Sequence, residues 1–127
     1  MAKKQVSTVE APAAIGPYSQ AIVCGNMLYA SGQIPINPRT GKIESDDISE
    51  QAHRVFKNIG AVLAAKGLDF SSVVKTTVFL TDLGDFNTVN EIYGGYFTEP
   101  YPARSCVQVA KLPKNVKIEV EIIAEIG

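Results

Sequence analysis

The stretch Val116-Lys117-Ile118-Glu119-Val120-Glu121-Ile122-Ile123, close to the end of the chain, decides the fold. Its side chains alternate between aliphatic and charged, which is the period of a β-strand with one buried face. We predict a strand from Val116 to Ala124. Its buried face carries Val116, Ile118, Val120 and Ile122, and its opposite face carries Lys117, Glu119, Glu121 and Ile123. Such a strand belongs in a sheet that other elements cover on one side.

The preceding strand is predicted over Ser105 to Ala110, after a break at Glu99 to Pro102. Val107 and Val109 fall on one of its faces, and Arg104, Cys106 and Gln108 on the other. If both aliphatic faces lie under helices, the opposite face of the sheet collects Arg104, Cys106, Gln108, Glu119 and Glu121. That face is either solvated, with weak ion pairs, or covered by a partner subunit, since Cys106 and Ile123 also lie on it. The patterns alone leave both interpretations open.

Two amphipathic helices provide the cover. In the first, apolar residues recur at helical spacing from Ile48 to Leu63, with Asp46, Asp47 and Ser49 at its start and Gly67 as its C-cap. In the second, Asp82 is the N-cap, and one face carries Phe86, Val89, Asn90, Tyr93 and Phe97.

The remaining elements are shorter. We predict a strand over 5–9, a hairpin over 21–31 that turns at Gly25-Asn26, a loop over 35–41, a strand over 73–81 and a turn over 112–115. The element order is therefore β-β-β-α-β-α-β-β. We predict a single α+β domain over residues 1–127, with a six-stranded mixed sheet and both helices on one face.

Composition narrows the function classes. The 127 residues hold 12 Lys plus Arg and 13 Asp plus Glu, so they lack the basic excess of a nucleic-acid-binding domain. The sequence also lacks a signal peptide and an apolar run of the ~20 residues that span a membrane. The two cysteines, Cys24 and Cys106, have no metal-binding spacing, and the single histidine, His53, is interpreted as a surface or boundary residue. We expect a cytoplasmic protein with free thiols, no metal and no cofactor.

Six motifs along the chain resemble one known family. They are Ala13-Ala14-Ile15-Gly16-Pro17-Tyr18-Ser19-Gln20, Ala30-Ser31-Gly32-Gln33-Ile34-Pro35, Val74-Lys75-Thr76-Thr77-Val78-Phe79-Leu80, Val89-Asn90-Glu91-Ile92-Tyr93, Pro102-Ala103-Arg104-Ser105-Cys106-Val107 and Val116-Lys117-Ile118-Glu119-Val120-Glu121. In this order they are similar to the Rid, or YjgF-type, family of reactive-intermediate deaminases. The match is best with its RidA branch, because Arg104 and Glu119 are both present.

The resemblance implies a chorismate-mutase-like fold and a homotrimer whose sheets form a central barrel, with active sites between neighbouring subunits. It also implies hydrolysis of reactive enamines and imines, such as 2-aminoacrylate and 2-iminobutanoate, to 2-keto acids and ammonia. These intermediates are released when enzymes that use pyridoxal phosphate dehydrate serine or threonine. A subunit on the sheet face opposite the helices would explain the apolar residues there.

The resemblance also assigns roles to residues. Arg104 is expected to hold the substrate carboxylate, and Glu119 to position the attacking water or to shuttle a proton. Cys106 is expected to contribute a backbone N–H and a wall of the site, and Tyr18, Ser31, Gly32 and Asn90 the rest of the pocket.

Structural alternatives stand beside these roles. Arg104 could simply form a salt bridge to Glu119 or Glu121. Tyr18 could lie in an interface, Ser31-Gly32 could be conformational, and Asn90 could be a packing residue.

Two other functions stay open. A non-catalytic regulator could bind small carboxylates at the same clefts, because one pocket serves both purposes. An endoribonuclease or translation inhibitor is the remaining alternative, since some relatives are described in this way. The net charge of -1 disfavours a large phosphate footprint.

Overall fold

A computed structural model describes residues 2–127. In chain order its strands and helices are β1 Lys4–Val6, β2 Ala21–Cys24, β3 Met27–Gln33, β4 Ile36–Asn37, β5 Lys42–Ile43, α1 Ile48–Ala64, β6 Val73–Leu80, α2 Phe86–Tyr96, β7 Ala103–Gln108 and β8 Ile118–Glu125. Short 3-10 turns occupy Phe70–Ser72, Leu83–Asp85 and Pro113–Asn115. The predicted α+β class is confirmed.

The main sheet has six strands in the order β1-β2-β3-β8-β6-β7, and β4 and β5 form a separate two-stranded ribbon. All neighbouring pairs of the main sheet are antiparallel except β6 and β7, which are parallel. The sheet is therefore mixed, as predicted. The ribbon lies at the predicted loop over 35–41, and β1 is shorter than the strand expected over 5–9.

The first helix begins where the sequence indicated, whereas the second begins later, at Phe86. Asp47 is the N-cap of α1, and its carboxylate accepts a hydrogen bond from the backbone N–H of Glu50 at 3.0 Å. Asp82 caps the 3-10 turn that leads into α2, rather than α2 itself. After α1, Gly67 has a φ of +72°, a left-handed conformation that suits glycine at the end of a helix.

The core lies between the helices and one face of the sheet. In β8 the residues Ile118, Val120, Ile122 and Ala124 are buried, so the alternation that decides the fold is confirmed in phase. They pack with the apolar face of α1, including Val55, Phe56, Ile59 and Leu63. These side chains supply most of the apolar area that drives folding.

The phase of β7 is the opposite of the prediction. Thr76 of β6 is paired with both Ile122 and Arg104, so Arg104 shares the face of buried Ile122. Phe79 is paired with both Val107 and Glu119, so Val107 lies on the open face of the sheet, which also carries Glu119. Because β7 is an edge strand that is largely exposed on both faces, its hydrophobic pattern did not determine which face turns toward the helices.

Candidate active site

Arg104 is held by α2. Its Nη1 donates a hydrogen bond to Oδ1 of Asn90 at 2.7 Å. The guanidinium carbon lies 4.8 Å from the ring centroid of Tyr93 and 5.4 Å from that of Phe86, so the cation rests on two aromatic faces. These contacts orient the planar guanidinium while leaving other N–H groups available for a carboxylate.

The ring beneath Arg104 is itself fixed from the core. The hydroxyl of Tyr93 shares a hydrogen bond of 2.8 Å with Oγ1 of Thr76, which is fully buried. The Tyr93 ring stacks on Phe97 with centroids 4.3 Å apart and meets Phe56 edge to face. Burial raises the pKa of the Tyr93 hydroxyl above its usual value. Tyr93 is therefore a neutral, rigid platform for the cation.

A cavity of about 490 Å³ opens beside the guanidinium, lined by Asn90, Tyr93, Gly94, Tyr101, Pro102 and Arg104. Cys106 lies on the same face of β7, two residues farther along, and is partly buried against the core. Burial raises the pKa of the Cys106 thiol, and the charge of Arg104 offsets this only in part. A neutral thiol is a poor nucleophile, so this environment favours a packing role for the Cys106 side chain.

Glu119 lies on the opposite face of the sheet. It lines a second cavity of about 550 Å³, together with Tyr18, Ser31, Gly32, Gln33 and Lys114 among others. Burial, and to a smaller degree the neighbouring Glu121, raises the pKa of the Glu119 carboxyl. A carboxyl group whose pKa is moved toward neutrality can both accept and return a proton during a reaction.

The segment Ser31-Gly32 is a β-bulge. Between β3 and β8 the register shifts between Ala30 and Gln33, so one extra residue is inserted in β3. The hydroxyl of Ser31 donates a hydrogen bond to the backbone oxygen of Ser19 at 2.6 Å, which ties the bulge to the preceding loop. A Cβ added at Gly32 would overlap Oε2 of Glu119, so glycine is what allows the carboxylate to lie over this backbone.

Tyr18 belongs to the loop between β1 and β2 and is 53% exposed. Its hydroxyl accepts a hydrogen bond from the backbone N–H of Ile15 at 3.4 Å. Tyr18 therefore forms part of the rim of the Glu119 cavity rather than its floor. Much of its ring is available to a ligand or to another chain.

The predicted site residues thus form two half-sites within one chain. The Arg104 half-site comprises Arg104 and Asn90, and the Glu119 half-site comprises Glu119, Gly32, Ser31 and Tyr18. Cys106 lies on the face of Arg104 but lines neither cavity. They lie on opposite faces of the sheet, and the two cavities have no lining residue in common. The expectation that Arg104 and Glu119 share a face is therefore wrong for the single chain, and so is a salt bridge between them across that face.

Several contributors to the half-sites were missed at the sequence level. Phe86 and Tyr93 were assigned only to the packing face of α2, yet both contact the guanidinium. Tyr101 was placed in a helix break, but it lines the Arg104 cavity. Its position next to Pro102, in the motif that contains Arg104, was a signal that could have identified it.

The described residues also bear on metal binding and on membrane insertion. Within residues 2–127, no cluster of three or more His, Cys, Asp or Glu side chains is arranged to hold a metal ion. His53 is exposed, and its Nδ1 is 2.9 Å from the Tyr96 hydroxyl, away from both half-sites. No helix in the described part of the chain has the length and apolar character needed to cross a membrane.

Comparison with known proteins places this geometry in a family. Residues 8–126 match the family model described as endoribonuclease L-PSP. The chain is 57% identical over 122 residues to the chloroplastic Reactive Intermediate Deaminase A of Arabidopsis thaliana, covering 96% of this chain and 65% of that protein. It is 53% identical over 124 residues to the 2-iminobutanoate/2-iminopropanoate deaminase of Escherichia coli K12, covering 95% and 96% of the two chains.

A solved structure agrees with these sequence matches. A protein of unknown function of the conserved Rid protein family from Yersinia pestis superposes with a TM-score of 0.96 at 50% identity, over 98% of this chain and 99% of that one. The chain therefore has the fold of a Rid-family protein.

Proposed function

Because the chain belongs to the Rid family, whose family model is described as endoribonuclease L-PSP, we propose that it is a hydrolytic deaminase. Its substrates are reactive enamines and imines, such as 2-aminoacrylate and 2-iminobutanoate, and its products are 2-keto acids and ammonia. Relatives that are 53% and 57% identical carry names of this activity. The observation that carries the proposal is an oriented guanidinium together with a half-buried carboxyl of raised pKa.

The proposed reaction needs little from the protein beyond orientation and proton transfer. The substrate enamine takes up a proton at its terminal carbon and becomes an iminium ion, whose carbon is already electrophilic. Arg104 binds the substrate carboxylate in a bidentate fork, which places that carbon at the pocket. Glu119 accepts a proton from water as the water oxygen bonds to the carbon, and it returns the proton to the nitrogen. The new hydroxyl then loses its proton to solvent as the C–N bond breaks, which balances the proton taken up at carbon, and the 2-keto acid and ammonia are released.

The two half-sites require a further proposal. We propose a homotrimer in which the Arg104 half-site of one subunit faces the Glu119 half-site of its neighbour, with a central barrel formed by the open sheet faces. The positions of the half-sites on opposite faces of one sheet support this arrangement. The open face carries exposed apolar side chains, including Tyr29 and Val107, and burying them would favour assembly.

Mixing two inactive variants tests the intersubunit site. Arg104→Ala and Glu119→Ala should each abolish ketoacid release from threonine plus a threonine dehydratase. When the two variants are unfolded together and reassembled at equal amounts, each mixed trimer contains one site with both residues intact. Activity should return to about a quarter of the wild-type value. Mixtures without any activity, although mixed trimers form, would contradict a site shared between subunits.

Two other functions give different outcomes. A carboxylate-binding regulator would bind 2-keto acids through Arg104 without turnover. A nuclease, suggested by the description of the family model, would cleave RNA in a reaction that survives Arg104→Ala. Wild-type ketoacid release that depends on both Arg104 and Glu119 would favour the deaminase over both.

We also propose that the protein is cytoplasmic. Cys24 and Cys106 are both free thiols, which suits a reducing compartment. Cell fractionation with an antibody to the chain would test this location. Recovery in an oxidising compartment would contradict it.

A further inference from the structure

Buried polar side chains are concentrated around the two half-sites. In the described chain they are Gln20, Gln33, Gln51, Asn58 and Thr76. Thr76 supports the platform under Arg104. Gln33 and Gln20 both line the Glu119 cavity. Gln20, Gln51 and Asn58 are amides whose hydrogen bonds hold backbone segments, and burying such groups is unfavourable unless those bonds are made.

Gln20 holds the loop that precedes β2. Residues 7–20 form no helix or strand, so their backbone groups depend on other partners. The Gln20 amide supplies several of them: Oε1 accepts from the backbone N–H of Thr8 at 2.7 Å, and Nε2 donates to the backbone oxygens of Thr8 and Pro12 at 3.0 and 2.7 Å. This loop contributes Pro12 and Tyr18 to the Glu119 cavity.

Asn58 holds a second wall of the same cavity. It is fully buried on α1, and its Nδ2 donates to the backbone oxygens of Ile34 and Ile36 at 3.2 and 3.0 Å. Ile34 and Ile36 both line the Glu119 cavity. The amide therefore fixes the chain where it leaves β3, just after the bulge.

Gln51 holds the third wall. From α1 its Oε1 accepts a hydrogen bond from the backbone N–H of Lys117 at 2.8 Å. Lys117 lies between Lys114, which lines the cavity, and Glu119 itself. Lys114 has a φ of +56°, so the turn before β8 is sharply bent and gains from an external anchor.

We propose that Gln20, Gln51 and Asn58 are positioning residues of the Glu119 half-site. Each ties one irregular segment to the rigid part of the fold, and together they close the three walls of the cavity that the sheet does not provide. For catalysis this inference rests on the proposed deaminase function. The expected effect of these residues on the pKa of the Glu119 carboxyl does not depend on that function.

The physical consequence concerns water at Glu119. The walls held by the three amides restrict solvent near its carboxyl, and burial is the largest cause of its raised pKa. If one wall were released, water would solvate the charged Glu119 carboxylate better. The pKa of Glu119 would then fall toward its ordinary value. The walls also fix the distance between the carboxyl and a bound substrate, to which proton transfer is sensitive.

The test replaces Gln20 by methionine, which has a similar length and volume but cannot make the hydrogen bonds. The titration of the Glu119 side-chain carboxyl is followed by NMR in the full-length assembled protein, with the signal assigned through its loss in Glu119→Gln. Gln51→Met is the second variant. Gln5→Met, at an exposed position of β1, is the matched control. Ile59→Val, in the buried core, is the control for a general loss of stability.

In Gln20→Met we expect the Glu119 midpoint to move to lower pH and the amides of residues 8–18 to exchange with solvent about tenfold faster. The ketoacid-forming rate should lose about tenfold in kcat/KM, with the pH profile shifted in the same direction as the carboxyl. Gln51→Met should shift the same midpoint, and both controls should leave it at the wild-type value.

An unchanged Glu119 midpoint in both Gln20→Met and Gln51→Met would overturn the inference. So would an equal shift in Ile59→Val, because the effect would then follow stability alone. If the midpoint moves as expected but the wild-type protein releases no ketoacid, the positioning role holds and the deaminase proposal fails. The two ideas can therefore be separated in one set of samples.

Discussion

The substitution Gly32→Ala tests how closely the position of Glu119 is set. An added Cβ would overlap Oε2 of Glu119 and would lie 2.8 Å from its carboxyl carbon. Because carbon atoms in contact prefer about 3.5 to 4.0 Å, the carboxyl carbon must move by roughly 0.7 Å and the oxygen by more. A misplacement of about 1 Å in a catalytic group costs on the order of 100-fold in rate. We expect kcat/KM to fall by about that factor, or about 2.7 kcal/mol of transition-state stabilisation.

The assay follows 2-keto acid release from threonine in the presence of a threonine dehydratase, in a buffer without competing amines. Gly95→Ala is the matched control, because a Cβ at Gly95 in α2 meets no atom within 4 Å and the residue lies in neither half-site. It should keep wild-type kinetics and melt at the same or a slightly higher temperature, since alanine favours a helix over glycine by up to about 1 kcal/mol. Circular dichroism confirms that both variants fold.

Wild-type kcat/KM in a folded Gly32→Ala protein would refute the reasoning, because the carboxylate would then tolerate displacement. A second check adds Gly32→Ala to Glu119→Gln. If Gly32 acts through Glu119, the added loss should be much smaller than about 100-fold, since the two changes remove the same interaction. A full additional loss would mean that Gly32 acts by another route.

Two further predictions concern stability. Thr76→Val removes the buried hydroxyl that bonds to Tyr93 at 2.8 Å and should lower the free energy of unfolding by about 1–2 kcal/mol. Urea denaturation measures this, and an unchanged midpoint would contradict a structural role for that bond. Burial, and to a smaller degree Glu121, raises the pKa of the Glu119 carboxyl in the folded protein. The native state therefore binds more protons at this carboxyl than the unfolded chain does. Wild-type stability should therefore fall as pH rises from the ordinary carboxyl range through the raised pKa. Glu119→Gln should melt at a higher temperature than wild type at about pH 8, and at the same temperature as wild type at about pH 3.5. Equal melting temperatures of the two proteins at both pH values would contradict this prediction.

The strands and helices of the core could be predicted because their patterns reflect burial. The alternation in β8 and the helical spacing in α1 were both confirmed, since a buried face admits few residue types. Asp47 was recognised as part of a helix start because its side chain bonds within a few residues. Local hydrogen bonds and period are properties that a sequence displays directly.

The sequence proposed residues for the candidate site but did not predict how they are arranged. The motifs identified Arg104 and Glu119, but the face of Arg104 was assigned wrongly because β7 is an exposed edge strand. Only its parallel register with β6 determines that Arg104 lies beside Thr76, under Asn90 and against Tyr93. The hydrogen bonds of Gln20 and Gln51 join segments that are distant along the chain, and no local pattern encodes them.

The sequence by itself therefore determined the α+β class and the buried faces of β8 and α1, and it named the residues proposed to carry the chemistry. Tertiary structure alone decided that Arg104 and Glu119 occupy opposite faces of one sheet. The physical reason is that burial leaves its period in the sequence, whereas the face of an edge strand depends on its partner strand and register. Those pairings form between residues far apart in the chain, so they are set only when the whole sheet assembles.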